Sequence, residues 1–113
     1  MGTTKSDRLH LLSFTSNLVG KRAAADIEAF VGGVPDYAAV VIDFTRVHNI
    51  DEPAVAALRR SAAACQGRSV LLSIAVVSDR VRLALMRGGL NHLAPLVDSV
   101  EQGVRSLGAP LPS

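Results

Sequence analysis

Residues 40–58 read VVIDFTRVHNIDEPAVAAL, and with Ala38 and Ala39 before them they open on a run that is apolar at every position up to Asp43. A strand with one solvated face alternates apolar and polar residues. One without alternation is covered on both faces, as in a parallel sheet flanked by helices. Asp43 stands at the end of this run, and a short turn through His48 follows. Asp51 then occupies the position of a helix N-cap, with Glu52 and Pro53 in the first turn, where a missing amide hydrogen costs little. From Glu52 to Cys65, the residues Val55, Leu58, Ala62 and Cys65 fall on one helical stripe, while Ala56, Arg59, Arg60 and Ala63 lie towards the other side. A doubly covered strand running into an amphipathic helix is the first part of a βαβ unit.

The same pattern extends in both directions. RSVLLSIAVV (68–77) is a second fully apolar strand, and SDRVRLALMRGG (78–89) a helix with Ser78 as N-cap and Gly88-Gly89 as its stop. After LNHLAPLVD a last helix starts at Ser99, where Ser99 and Gln102 have capping-box spacing. Upstream, KRAAADIEAFV (21–31) places Ala23, Ile27 and Phe30 at helical spacing until GGVP stops it. RLHLLSFT (8–15) reads as an edge or hairpin strand. Alternation of this kind predicts an α/β domain of right-handed βαβ units. Its expected core is Val40, Val41, Ile42, Leu71, Leu72, Ile74, Val55 and Leu58.

At 113 residues the chain makes one domain, expected over residues 9–107, with 1–8 as an N-terminal extension and 108–113 (GAPLPS) as a frayed tail. Apolar residues are 49% and charged ones 19%, a balance that buries a core and excludes a disordered segment. The net charge of +2 is spread without a basic stripe, which argues against nucleic-acid binding. A single cysteine excludes an internal disulfide and fits a reducing compartment. MGTTKSDR has no apolar leader core and no window reaches membrane-spanning length, so the expectation is a cytoplasmic, soluble monomer without membrane insertion.

The chain offers little for catalysis. His10, His48 and His92 share no metal-ligand spacing with Cys65, so no metal is expected. Gly20-Lys21 is the only fragment of a phosphate loop, and Thr15 stands where its first glycine would be. No G-x-S-x-G occurs. Asp43 and Asp51 could be paired carboxylates, but a strand end and a helix cap account for them better. Cys65 closes an apolar stripe and reads as a small core residue before a redox sensor. No catalytic residue and no cofactor are expected, and the chain reads as a non-enzyme.

A central strand ending in Asp, a short turn and Ile-Asp at a helix start, as in VVIDFTRVHNIDEPAVAAL, resembles the STAS domain, the fold of bacterial anti-sigma factor antagonists. SVLLSIAVVSDRVRLALMRGGLNHLAPLVDSVEQGV continues the likeness, so that it covers roughly residues 9–107. The resemblance implies a mixed sheet of four to five strands with about four helices mainly on one face. It implies a role by surface contact: binding an anti-sigma factor, usually a histidine-kinase-like ATPase, so that a sigma factor goes free.

In phosphorylatable members of that family the helix starts Asp-Ser-Ser-Gly or Asp-Ser-Thr-Gly, and the third residue takes the phosphate. Here Asp51 matches the Asp, Glu52 replaces the first Ser, Pro53 replaces the acceptor and Ala54 replaces the Gly. Proline has no hydroxyl, so the resemblance implies a partner-binding site without its usual switch: Asp51, Glu52, Pro53 and Ala54, with Ala56, Arg59 and the turn at His48. Because Pro53 lacks an N–H, Asp51 is expected to cap the Ala54 amide. Glu52 puts a charge at the positive end of the helix dipole, worth ~0.3–1 kcal/mol, so a good helix start explains the same residues without function. The alternative role is a sensory or docking module of a larger protein, such as the cytoplasmic tail of a sulfate-type anion transporter or an appendage on an enzyme.

Overall fold

Among the described residues, five strands hydrogen-bond in the order in which the chain makes them. The structure, a computed structural model, describes residues 2–6, 9–15, 17 and 21–107. Strands β1 (Gly2–Ser6) and β2 (Leu9–Ser13) form an antiparallel hairpin. Then β3 (Ala39–Phe44), β4 (Leu71–Val76) and β5 (Leu96–Val97) are added in parallel. Helix α1 (Lys21–Gly32) joins β2 to β3, α2 (Glu52–Gly67) joins β3 to β4, and α3 (Asp79–Arg87) leads through a 3₁₀ turn at Leu90–His92 to β5. Helix α4 (Val100–Ser106) closes the described chain.

A chain that always steps to the next strand by right-handed crossovers keeps the connecting helices on one face of the sheet. The core shows that face. Leu12, Val40, Ile42, Phe44, Leu72, Ile74 and Val76 pack with Ile27 and Val31 of α1, Leu58 and Ala62 of α2, and Val81 and Leu85 of α3. The alternate residues Val41 and Ser73 point the other way and are fully buried there. A Cβ on Gly103 of α4 would lie 3.0 Å from Val41 and 3.1 Å from Ser73, so α4 covers the centre of the second face at close approach. The mixed sheet with helices mainly on one face is as expected, and the doubly apolar β3 is doubly covered.

Three expectations need correction. The 1–8 stretch contains β1, so the sheet begins before residue 9; GTTKS carries no apolar period, and backbone pairing with β2 supplies its place. Of the two readings of β2, edge or hairpin strand, the hairpin holds: β2 pairs with β1 on one side and β3 on the other. Leu71 is 53% exposed, because α4 ends at Ser106, whose hydroxyl bonds Ser73, and leaves Leu71 uncovered. Val55 is half-buried, since the packed stripe of α2 runs through Ala54, Ala57, Leu58, Ser61, Ala62 and Cys65 instead. The expected tail, 108–113, lies outside the described residues, as does Gly20.

Cys65 is 1% exposed. Burial pushes its thiol pKa up, with Arg68 pulling it part of the way back. The native thiol should therefore react slowly, and rapid stoichiometric labelling of folded protein would contradict its burial. Folding keeps the thiol protonated, so this contribution to stability is complete below the unfolded thiol pKa of about 8.5. It is lost as pH rises through the folded value. Urea midpoints should thus fall between about pH 8 and pH 10 by more in the parent than in Cys65→Ala.

Candidate functional site

The connection from β3 to α2 is tied down at each step. Asp43 Oδ1 accepts from the Thr45 amide at 2.9 Å and from the Thr45 hydroxyl at 2.6 Å, which turns the chain out of the strand. Val47 and Ile50 are buried as anchors, and Val47 N–H donates to the Phe44 carbonyl at 3.0 Å. Between them His48 is exposed, and its backbone N–H donates to Asn17 Oδ1 at 3.1 Å. Asp51 is extended (φ −98°, ψ 171°), and its Oδ1 accepts from the Ala54 amide at 3.0 Å, the capping bond expected with proline in the first turn. Asp43 and Asp51 each serve a turn or a cap.

The end of α3 meets this helix start. A Cβ on Gly88 would come within 2.4 Å of Val55 Cγ1, so the glycine lets the α3 terminus reach the second turn of α2. Between the two helices lies an open groove of ≈ 390 Å³. Glu52, Val55, Ala56 and Arg59 form its α2 side, and Ala84 and Arg87 of α3 form the other.

Of the residues expected from sequence, Asp51, Glu52, Ala56 and Arg59 come together on this groove. Pro53 is exposed beside it, and His48 is exposed in the preceding turn. Ala54 is a correction: its side chain is fully buried against the core, so it contributes only the amide that Asp51 caps. Ala84, Arg87 and Gly88 were not foreseen. Gly88 was legible only as a helix stop, since nothing local in sequence says which helix a stop will touch. Among the described residues, no group of three or more His, Cys, Asp or Glu could hold a metal ion, and no helix is long and apolar enough to cross a membrane.

The STAS domain profile matches residues 4–103, nearly the whole described chain. This chain belongs to the STAS domain family. The STAS domain superposes on a Thermotoga maritima protein assigned as an anti-sigma factor antagonist with TM-score 0.80 at 11% identity, covering 95% of this chain and 93% of the other. An anti-sigma factor antagonist from Mycobacterium paratuberculosis gives TM-score 0.79 at 17% identity, covering 94% and 91%. A sulfate transporter family protein from Wolinella succinogenes gives 0.66 at 20%, covering 87% and 84%. At these identities the likeness concerns the fold. No curated protein matches this STAS domain in sequence.

Proposed function

We propose that this STAS domain is a cytoplasmic, non-enzymatic regulatory module that acts by binding a protein, as an anti-sigma factor antagonist does. The partner is an anti-sigma factor of the kinase-like ATPase kind. The contact surface is the start of α2, with Asp51, Glu52 and Pro53, extended by Ala56, Arg59 and the turn at His48. The observation that carries this reading is the capped, exposed first turn of α2 with Pro53 at the position that takes the phosphate in the family. The turn is already ordered for contact, and it holds no hydroxyl at that position. Binding is therefore not released by phosphorylation.

Incubation with a kinase-type anti-sigma factor and ATP should give a complex and no phosphate on residues 45–61. Phosphorylation within that segment together with loss of the complex would overturn the lost switch. Asp51→Ala should cost ~1 kcal/mol of stability through the lost cap and also weaken the complex. Glu52→Gln should change affinity modestly, because a single exposed carboxylate is screened and carries less charge than the ~1.5–2 of a phosphate. If Glu52→Gln instead creates tight binding where the parent has none, Glu52 acts as a fixed phosphate mimic and the domain is held off.

The fold likeness to the sulfate transporter family protein favours a second reading, a docking module within a larger transporter. Membrane-fraction association of the full gene product, lost when flanking segments are removed, would select it.

A further inference from the structure

We propose that residues 108–113 (GAPLPS), which follow α4, fold back into an apolar groove at one end of the sheet, with Leu111 as the anchor. The groove has a volume of ≈ 400 Å³ and lies between the end of α2, the start of β4, the turn before β5 and the end of α4. Val70, Leu71, Leu72, Leu93, Pro95 and Leu107 line it, and no charged side chain is among its lining residues. Strands β3 and β4 run parallel, so their starts, with this groove, stand at one end of the sheet and the β3–α2 connection at the other. Docking here leaves the partner contact at the start of α2 untouched.

The chain itself delivers the occupant. Leu107, the last described residue, is part of the groove's lining. The Ser106 and Ser73 hydroxyls bond at 3.2 Å, which fixes the end of α4 over β4. Leu107 caps α4, so Gly108 holds the position where a left-handed residue commonly ends a helix, and Pro110 bars its continuation. The segment that follows carries no charged side chain, and its one large apolar residue, Leu111, stands between Pro110 and Pro112. Fully extended, the chain carries Leu111 up to about 14 Å from Leu107, enough to cross a groove of this volume. Leu71 supplies the reason to cover it, since this first residue of β4 keeps its apolar side chain exposed at the groove. Prolines on both sides of Leu111 limit the freedom that docking removes, and the tether raises the local concentration of the segment to the millimolar range. A charged ligand would find only Gln66, Ser69 and Ser106 as polar side chains along the groove besides the Cys65 thiol. A second copy of the chain would have to displace a segment already attached at the rim.

Methyl and amide NMR on the full chain tests this. Nuclear Overhauser contacts should run from the Leu111 methyls to those of Leu71 and Leu93. Ending the chain after Leu107 should shift the amide signals of residues 69–72 and 93, and Leu111→Asp should move the same signals. Leu111→Met keeps the volume and should leave them close to the parent's. The Asp variant should also melt about 2–4 °C below the parent. Absence of contacts from Leu111 to the groove, shifts confined to residues next to the change, or an Asp variant with the parent's signals and melting temperature would each overturn the proposal. The contacts are read in the parent, so a shortened chain that fails to fold does not remove the test. A mixture of differently labelled chains separates the occupants. Contacts within one chain are expected, and contacts seen only between chains would put a second copy in the groove and overturn the docking of the chain's own segment.

Discussion

Phe44→Ala should lower the melting temperature by about 12–20 °C, at roughly 4 °C per kcal/mol for a domain of this size. Phe44 is the last residue of β3 and is fully buried. Its ring meets Phe14 edge-on, with centroids 5.4 Å apart and planes at 62°. Truncating a buried phenylalanine costs ~3–5 kcal/mol in lost transfer energy and cavity. The aromatic pair adds ~0.5–1.5 kcal/mol beyond its area. Against a total stability of ~5–15 kcal/mol for a native domain, this is a large share. The Phe44 carbonyl also receives the Val47 amide, which fixes the turn carrying His48. Thermal unfolding followed by circular dichroism checks the size of the effect, and a shift below about 5 °C would mean that the site collapses without a cavity. Phe44→Leu should recover much of the loss, since it refills most of the volume.

Gly103→Leu should destabilise the domain by ~1–3 kcal/mol and loosen α4 ahead of the rest. In an exposed helix, replacing glycine would gain up to ~1 kcal/mol of helix propensity. Here the first added carbon already lies 3.0 Å from Val41 and 3.1 Å from Ser73. Both neighbours are fully buried in central strands and have nowhere to move. Leucine adds three more carbons to that contact. Hydrogen exchange should show the amides of α4 opening at lower cost than those of β3 and β4. Protection equal to the parent throughout α4 would show that the helix can shift along the sheet and absorb the side chain. Gly103→Ala, with only the first carbon, should lie between the two.

Most of the architecture could be read from the chain because its strands are apolar without alternation and its helices carry their own start signals. Asp51, Ser78 and Ser99 each accept the amide three residues on. Apolar period separated β3 and β4 from α2 and α3 without ambiguity. It was silent on β1, whose residues carry no such pattern and which is held by backbone pairing to β2. It misjudged Leu71 and Val55 because exposure at those positions depends on where a distant element ends: α4 above Leu71, and Gly88 of α3 beside Val55. The candidate site divides the same way. Its α2 half is contiguous in sequence and was legible as a motif with a substituted acceptor. Its α3 half enters only through tertiary packing, and Ala54, which alignment to the motif placed on the surface, faces the core because the helix stripe runs through it.

The strand order β1-β2-β3-β4-β5 has a consequence for how the domain comes into being. No strand has to wait for a later segment to be inserted between it and its neighbour. Each pairing closes a loop of one helix or one hairpin, and such short closures keep the entropic cost of assembly low and folding fast. During synthesis the hairpin can form as it emerges, and each new helix and strand then dock on an edge that is already present. The β4 edge stays open until the two-residue β5 pairs with it, so that edge is shielded from pairing with another chain only after the other four strands are in place.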